Sequence, residues 1–438
     1  MLRPGVVGND GRTTAIVRSL RESPRVADVI ELSDWKGLSS ADERKKQAFE
    51  RASAERPDFV VIGPEEPLAA GIVNDLAEIG IPAVGPTRDL ARLEASKSFT
   101  RELLRRHDIG GNPRYRIFRS FSPEIGQWLD ELSEFVIKPD GLTGGKGVRV
   151  SGDHLRTLDE GLDYCRELLL TGRPILVEER LEGEEFSLQS LSDGKTLVHT
   201  PVVQDHKRAL EGDRGPNTGG MGSYSCADHQ LPFLTLKQIR EAQIINERVA
   251  EAIREDVKEP YRGVLYGGFM ATRDGVRLIE YNARFGDPEA LNVLPLLESD
   301  FASICEAIVH GSLDRMAVKF RPLASVCKYL VPEGYPDSPV KGEAIDLGEV
   351  LRQESDHLRV YKAAIQERDG RTYMTGSRAV AVVGLAPTLD AAFTIAENAA
   401  SLVRGRVVFR HDIGSQSLIQ RRIDHMHAVL ESRPELVS

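Results

Sequence analysis

The sequence predicts a protein of mixed α/β and α+β class, with a doubly wound, Rossmann-like domain at its N-terminus. Three observations support this. At 438 residues the chain is too long for one ordinary core and suits two or three domains. Strand-like and helix-like segments alternate over roughly the first ninety residues. Farther along, strand pairs are mixed with helices, which is typical of α+β units.

Composition excludes several classes of protein. The formal net charge is -10 and the pI is near 5.6, so the chain lacks the basic surface of a nucleic-acid-binding protein. Its longest apolar runs, such as AVAVVGLA at 379–386, are far too short to span a bilayer, and no signal peptide opens the chain. The cysteines are scattered and form no C-x-x-C pair, which indicates reduced thiols. We therefore expect a cytoplasmic protein without membrane or nucleic-acid partners.

The N-terminal segment predicts a small doubly wound sheet. Its elements are a strand at GVVG (5–8), a helix at TTAIVRSLRE (13–22), a strand, turn and helix at PDFVVIGPEEPLAAGIVNDLAEIG (57–80), and a strand at IPAVGPT (81–87). Sheets of this kind bind ligands beyond the carboxyl ends of their strands. Gly8 and Gly11 lie in the turn after the first strand, where a phosphate could meet a helix N-terminus.

The later elements divide the rest of the chain. Helices are predicted at 93–109, at 235–256 and at 389–405, and strands at RVYKAAI (359–365), AVAVVGLA (379–386) and RVVFR (406–410). The stretch 322–342 is rich in proline and glycine and is interpreted as a crossing between domains. We expect domains at 1–92, 93–318 and 319–438.

The stretch FVIKPDGLTGGKGVRV (135–150) places a glycine-rich turn between two strands. It does not fit a Walker loop, because Lys146 is followed by glycine and a strand, where Ser or Thr and a helix are required. It fits a flap in which Lys138 and Lys146 meet phosphate oxygens. The alternative is a plain glycine-rich hairpin.

Two further stretches carry oxygen ligands. ILVEERLEGEEFSLQSL (175–191) is either an exposed acidic hairpin or a hinge that holds adenosine, with Glu185 accepting hydrogen bonds from ribose hydroxyls. In VRLIEYNARFGDPE (276–289), Glu280 and Asn282 are two apart on a strand and face the same way. Hard oxygen ligands of this kind suit Mg²⁺, which takes the rest of its shell from water and phosphate.

Flap, hinge and Glu-x-Asn in this order resemble the ATP-grasp superfamily. The stretches QDHKR (204–208), GPNTGGMGSYS (215–225) and NARFGDPE (282–289) resemble one of its families, the phosphoribosylamine–glycine ligases. The resemblance covers essentially the whole chain. It implies that 93–318 is an ATP-grasp domain and that 319–438 is a C-terminal α+β domain.

The resemblance also implies an activity. ATP phosphorylates the carboxylate of glycine, and the amine of 5-phosphoribosylamine displaces the phosphate to give glycinamide ribonucleotide in de novo purine biosynthesis. ATP and Mg²⁺ or Mn²⁺ are the implied substrate and metal. The implied protein is a monomer or weak homodimer that acts on small molecules.

The site residues implied by the resemblance fall into four groups. Those expected to bind ATP are Lys97, Lys138, Gly144, Gly145, Lys146, Glu178, Arg180, Leu181 and Glu185. Those expected to bind the metal are Glu280 and Asn282. Those expected to act in catalysis are Asp205, Lys207, Arg284 and Asp287. Those expected to bind the acceptor are Gly8, Gly11, Arg12, Asn217, Thr218, Gly219, Gly220 and Met221. The histidines, His206 included, are interpreted as surface or packing residues.

The sequence departs from the family pattern in its N-terminal domain. The usual turn reads Gly-x-Gly-Gly-Arg-Glu-His, whereas residues 8–14 read GNDGRTT. The segment 31–46 also lacks the expected Asn-x-Gly-Thr turn. A paralogue that ligates a different amino acid or amine in a specialised pathway is therefore the alternative. The Glu280–Asn282 pair argues against a non-catalytic ATP sensor, which does not need a metal pair. The RFGDPE and GPNTGGMG turns do not suggest a biotin carboxylase-like enzyme.

Overall fold

The computed structural model describes residues 1–33, 38, 40–144 and 147–431. Gly145 and Lys146, both expected to bind ATP, lie outside these ranges, as does part of the divergent segment 31–46. In the described part of the chain no helix is long and apolar enough to cross a membrane. All four cysteines are free thiols.

The N-terminal domain contains a four-stranded parallel sheet in the order β2-β1-β3-β4. This agrees with the doubly wound sheet predicted from the sequence, although β2 was not among the predicted strands. Its elements are β1 (Gly5–Val7), α1 (Gly11–Arg21), β2 (Ile30–Glu31), α2 (Ala41–Glu55), β3 (Val60–Ile62), α3 (Glu65–Ala69), α4 (Ile72–Glu78) and β4 (Ala83–Val84). The helix expected after β3 is two helices, because Gly71 adopts a left-handed φ of 87° between them. Buried Val, Ile and Leu side chains pack the sheet against its helices.

The helix predicted over 93–109 is also divided. It forms α5 (Arg92–Ala95) and α6 (Lys97–Arg106), separated by Ser96 in an extended conformation. The Ser96 hydroxyl accepts a hydrogen bond from the Phe99 N–H, which caps α6. The break brings Glu94 and Lys97, which flank it, to the wall of one cavity.

The central part of the chain contains two antiparallel sheets and a hairpin. Its elements are β5 (Tyr115–Phe118), α7 (Pro123–Leu132), β6 (Phe135–Pro139), β7 (Arg149–Val150), α8 (Leu158–Leu170), β8 (Ile175–Glu179), β9 (Glu184–Asp193), β10 (Leu197–His199), β11 (Gln204–Asp205), β12 (Arg208–Leu210), β13 (Arg214–Asn217), β14 (Gly222–Ser225), α9 (Leu236–Val257), β15 (Arg262–Thr272) and β16 (Gly275–Asn282). The sheets run β5-β8-β6-β7 and β10-β9-β15-β16. The glycine-rich turn connects β6 and β7, which pair antiparallel.

The remaining elements lead into the C-terminal part. They are α10 (Glu289–Val293), α11 (Phe301–His310), β17 (Ala324–Pro332), β18 (Ala344–Ile345), α12 (Gly348–Arg352), β19 (Leu358–Lys362), β20 (Ile365–Arg368), β21 (Arg371–Met374), β22 (Val380–Ala386), α13 (Leu389–Leu402), β23 (Val407–Val408) and α14 (Gln416–Glu431). Short 3-10 helices follow α10 and α11. The mixed α/β and α+β class is confirmed.

The third large sheet joins the central and C-terminal parts of the chain. Its order is β11-β14-β17-β22-β19, with β23 pairing to β17, so β11 and β14 come from before residue 318. The boundary expected at 318/319 therefore does not separate two sheets. The first half of 322–342, interpreted from the sequence as a crossing between domains, contains β17, a fully buried nine-residue strand. Apolar ASVCKYLV forms the strand, and the turn residues begin only at its end.

Candidate active site

A cavity of about 560 Å³ lies where the two central sheets face each other. Most of the predicted site residues within the described ranges line it: Lys97, Lys138, Gly144, Glu178, Arg180, Leu181, Glu185, Asp205, Lys207, Asn217, Thr218, Gly219, Glu280, Asn282, Arg284 and Asp287. The structure does not bring the others to its wall: Gly8, Gly11, Arg12, Gly220 and Met221.

One part of the cavity combines an apolar surface with the buried ion pair of Lys138 and Glu178. Val136, Leu176, Met270 and Ile279 contribute apolar lining of the kind that accepts a flat ring. Charged residues, Lys138 and Glu178 among them, line the same cavity. The cavity can therefore hold an aromatic base beside charged groups.

Glu178 is the buried anion of this part of the cavity. Its carboxylate accepts hydrogen bonds from Lys138 Nζ at 2.6 Å and from Arg101 Nε. Burial alone would raise the pKa of Glu178, but Arg101 and Lys138 outweigh it and hold the pKa below its usual value. The Glu178 carboxylate thus orients the Lys138 ammonium group. Sequence reasoning missed Arg101, because nothing along α6 indicates a partner on β8.

Lys97 connects the start of α6 to the loop after β6 by hydrogen bonds. Its Nζ donates to the carbonyl oxygens of Pro139 at 3.2 Å and Gly141 at 2.8 Å. Burial lowers the pKa of the Lys97 ammonium, and the Glu280 carboxylate opposes that effect. Lys97 and Lys138 are therefore two cations, from different elements, on one cavity wall.

Glu280 and Asn282 lie at the end of β16 and present oxygen atoms to the cavity. Lys207 Nζ is 3.9 Å from Glu280 Oε1 and 3.5 Å from Glu185 Oε2. Burial would raise the pKa of Glu280, but Lys207, Lys138 and Lys97 lower it. Glu280 is therefore ionised in the folded protein, as a ligand of a hard cation must be.

The pair fits a magnesium ion only as part of a larger shell. Within the described residues no group of three or more His, Cys, Asp or Glu side chains could hold a metal. One carboxylate and one amide oxygen beside an open cavity suit Mg²⁺, which usually keeps waters and binds phosphate oxygens. The donor set thus fits a metal that arrives with a nucleotide.

The opposite part of the cavity is acidic. The Asp205 carboxylate accepts a hydrogen bond from the backbone N–H of His206 at 2.7 Å. Burial and the Glu289 carboxylate raise the Asp205 pKa. Glu289 in turn accepts the Tyr266 hydroxyl at 2.7 Å. Glu289 ends the RFGDPE stretch, and the sequence pattern alone did not indicate a role for it. The buried carboxyl group of Glu289 and the partly buried one of Asp205 thus face the part of the cavity expected to hold the acceptor.

Arg284 connects the RFGDPE turn (284–289) to the segment before α6. Its Nη2 lies 2.8 Å from Glu94 Oε1, and its Nε lies 3.3 Å from Glu65 Oε2. Glu94 also accepts the Ala283 N–H at 2.8 Å. Burial raises the Glu94 pKa to about 7, although Arg284 opposes the change. Sequence reasoning identified Arg284 and missed both of its acidic partners.

Arg12 is buried beside the cavity rather than exposed in it. Its Nη1 donates to the Phe285 carbonyl at 2.8 Å, and its Nη2 lies 2.5 Å from Asp10 Oδ2. Asp10 Oδ1 also accepts the Thr13 N–H at 2.8 Å and caps α1 with a negative charge. The phosphate contact expected for Arg12 stays a prediction, and its contacts in the structure are internal.

His206, interpreted from the sequence as a surface or packing residue, is buried and lies 5.9 Å from the Tyr224 ring, centroid to centroid. Its side chain is 1% exposed, and neither ring nitrogen has a hydrogen-bond partner among the described residues. Burial lowers the His206 pKa to about 3, and the nearby Arg422 adds to the effect. His206 is therefore a neutral imidazole on the cavity wall.

Comparison with known sequences identifies a family match along most of the chain. Residues 4–94 match the N domain of phosphoribosylglycinamide synthetase, residues 95–290 its ATP-grasp (A) domain, and residues 325–416 its C domain. A relative from Methanocella arvoryzae, a phosphoribosylamine–glycine ligase, is 45% identical over 97% of this chain and 99% of its own length. The ligase of the same name from Methanocaldococcus jannaschii is 44% identical over 96% of this chain and 98% of its own.

Solved structures give the same result for the fold. The phosphoribosylamine–glycine ligase of Thermotoga maritima aligns with a TM-score of 0.77 and 28% identity, covering 94% of this chain and all of that one. A biotin carboxylase from Campylobacter jejuni aligns with a TM-score of 0.69 at 14% identity over 97% of this chain and 95% of its own. The second match shows a shared fold only.

Proposed function

The chain belongs to the phosphoribosylglycinamide synthetase family, and we propose that it is an ATP-dependent ligase joining glycine to 5-phosphoribosylamine. The observation that carries the proposal is that two chemically different parts share one cavity. One part has apolar lining and the cations Lys97 and Lys138, and the other has the acids Asp205 and Glu289. The comparisons give no support to a paralogue with a different amine or amino acid.

The reaction has two steps. A carboxylate oxygen of glycine attacks the γ-phosphorus of ATP in line, and ADP leaves. The amine nitrogen of phosphoribosylamine then attacks the carbonyl carbon of glycyl phosphate, loses a proton and expels inorganic phosphate. No protein nucleophile is needed, because positioning, charge neutralisation and exclusion of water from the acyl phosphate supply the catalysis.

The residues at the nucleotide end have distinct roles in this proposal. Lys97 and Lys138 neutralise charge on the phosphates, and Glu178 holds Lys138 in place. The β8–β9 connection, with Arg180 and Leu181, borders adenosine, and Glu185 accepts hydrogen bonds from ribose. Glu280 and Asn282 would hold a divalent cation, Mg²⁺ or Mn²⁺, which adds positive charge beside the transferred phosphoryl group.

The residues at the acceptor end bind and orient the two small substrates. Asp205 and Glu289 are placed to accept hydrogen bonds from ammonium or amine groups, while Lys207 and Arg284 face the acyl phosphate. Asn217, Thr218 and Gly219 border the acceptor. Arg12 does not line the cavity in this proposal. It acts indirectly, because its guanidinium donates a hydrogen bond to the Phe285 carbonyl within the 284–287 turn.

Release of ADP by the purified protein tests the proposal. ATP, Mg²⁺ and glycine are supplied with and without phosphoribosylamine made in place from ribose 5-phosphate and ammonia. We expect rapid ADP release only when glycine and the acceptor are both present, with one glycinamide ribonucleotide formed per ADP. Equal release with an unphosphorylated amine, or release that does not depend on glycine, would contradict the assignment.

A further inference from the structure

The three parts of the chain meet at Asp287, on the acceptor side of the cavity. The Tyr329 hydroxyl, from β17, donates to Asp287 Oδ1 at 2.6 Å. Gly11, from the N-terminal domain, lies so close that an added Cβ would be 1.9 Å from the same hydroxyl. Asp287 itself follows β16 and lines the cavity. Its carboxylate is therefore fixed by the C-terminal part of the chain.

Arg378, just before β22, makes the larger share of these contacts. Its Nη2 lies 3.1 Å from Asp287 Oδ2, and its Nη1 donates to the Asp287 carbonyl at 2.9 Å. The same Nη1 donates to the Gly219 carbonyl at 2.6 Å and contacts that of Gly220 at 3.3 Å. The guanidinium also stacks 4.6 Å from the Tyr329 ring centre. One side chain thus connects two loops far apart in sequence.

The chemistry of this arrangement requires an arginine. A planar guanidinium can bind a carboxylate, several carbonyl oxygens and an aromatic face at once, whereas an ammonium is a compact point charge. Burial opposes the charged form, but Asp287 outweighs it and raises the Arg378 pKa, so the cation persists. Arg378 does not line the cavity, which limits it to acting through the residues it holds.

We propose that Arg378 is the positioning residue by which the C-terminal part of the chain holds Asp287 and the Gly219–Gly220 turn in their acceptor-binding arrangement. The proposal rests on the proposed ligase function. Removal of Arg378 should free both loops while leaving the nucleotide end, with Lys138 and Glu178, unchanged. The C-terminal part of the chain thereby contributes to acceptor binding without touching the acceptor.

Kinetics of Arg378→Ala, Arg378→Lys and a control, Arg406→Gln, test the proposal. Arg406 is a half-exposed arginine of the same part of the chain, paired with Glu333 and Glu343. We expect Arg378→Ala to raise the KM for phosphoribosylamine roughly 10- to 100-fold, as expected for loss of a charge-assisted contact, with the KM for ATP changed less than about twofold. Guanidinium ion should partly reverse the rise in the acceptor KM of Arg378→Ala. Arg378→Lys should show most of the same rise, because an ammonium group cannot make all of these contacts.

Hydrogen exchange supplies a readout that does not depend on activity. Amides of 217–222 and 284–288 should exchange faster in Arg378→Ala than in wild type or Arg406→Gln, with exchange in β6 and β8 unchanged. Unchanged exchange in both loops, or equal rises in the KM for ATP and for the acceptor, would overturn the proposal. If wild type shows no acceptor-dependent ADP release, the ligase function fails, while the exchange result still decides whether Arg378 positions the two loops.

Discussion

Lys207 lies among the carboxylates of Glu185, Glu280, Asp205 and Glu289, and Glu185 contributes most to raising its pKa. These acids lie on three different segments of the chain, so the ammonium group connects the nucleotide and acceptor parts of the cavity. Lys138 and Lys97 also lower the pKa of Glu280, so its carboxylate stays ionised beside the cavity. A divalent metal near Glu280 would add further positive charge beside that carboxylate.

The metal assignment leads to a prediction at Glu280. Glu280→Gln keeps the shape of the side chain but removes its charge, so ligase turnover should fall by on the order of a hundredfold or more, since a catalytic metal contributes several kcal/mol. The Mg²⁺ concentration for half-maximal activity should rise as well. Glu251→Gln, on the exposed surface of α9, is the matched control and should behave as wild type. A Glu280→Gln enzyme with most of its activity at saturating Mg²⁺ would disprove the assignment.

His206 gives a prediction about stability and pH. The His206 pKa is about 3 in the folded protein, below the ordinary value of 6.5, so between these values the unfolded chain binds the extra proton. The free energy of unfolding should therefore fall as pH drops below about 6.5, by roughly 1.4 kcal/mol per pH unit from this group. Glu94, whose pKa is raised, acts in the opposite direction in every variant and cancels from the comparison.

Urea unfolding of wild type, His206→Gln and His427→Gln between pH 7 and pH 5 measures this effect. The stability of wild type and of the exposed control His427→Gln should change in parallel as pH falls. His206→Gln should become more stable relative to both over the same interval. Parallel change in all three proteins would show that the His206 imidazole is not held neutral.

The sequence predicted individual site residues where a local pattern carried the information. Glu280 and Asn282 are two apart on a strand, and their placement on one cavity wall follows from that spacing. Arg101 and Arg378 could not be predicted in this way, because their partners lie far along the chain: Glu178 for one, Asp287 for the other. Nothing in a single sequence pairs an arginine with a remote acid.

At the scale of elements, the turn between β13 and β14 depends on a glycine without room for a side chain. Gly220 adopts a φ of 110°, and an added Cβ would lie 2.6 Å from both Asp205 Oδ1 and Pro288 Cδ. The turn therefore packs directly against two other segments of the acceptor end. The turn was expected to bind the acceptor, and Gly219 lines the cavity while Gly220 packs behind it.

Gly220→Ala should displace Asp205 or the 286–288 turn. We expect the acceptor KM to rise about tenfold or more, because a small misplacement of binding groups is costly. Gly342→Ala is the control, since Gly342 has a φ of 71° and nothing within 4 Å of an added Cβ. That change should cost only backbone strain, about 1–2 kcal/mol, with kinetics unchanged. Equal kinetic effects of the two substitutions would contradict the packing account.

Element predictions succeeded where apolar periodicity was long and uninterrupted. The helix predicted at 235–256 is observed as α9 with a Thr235–Gln238 capping box. The helix predicted at 93–109 is broken at Ser96, because a hydroxyl that caps a new helix competes with continuation of the first. Ser is common within helices as well as at caps, so the sequence alone does not distinguish the two.

At the scale of the whole molecule, the cavity requires residues from more than one domain. Glu65 and Glu94, which precede the ATP-grasp match, pair with Arg284, and Arg378 of the C-terminal part holds Asp287. The sheet that contains β11, β14 and β17 also joins the central and C-terminal parts. Pairing between strands far apart in the chain is not visible in a local sequence pattern, so this sheet was not predicted from the sequence.

The central claim is that glycine is activated as an acyl phosphate before the amine attacks, and oxygen isotope transfer tests it most directly. The wild-type protein is supplied with ATP, Mg²⁺, phosphoribosylamine and glycine labelled with ¹⁸O in both carboxylate oxygens. The account predicts one ¹⁸O atom in each molecule of inorganic phosphate and one in each amide product. Phosphate without ¹⁸O, formed while the amide product accumulates, would contradict it.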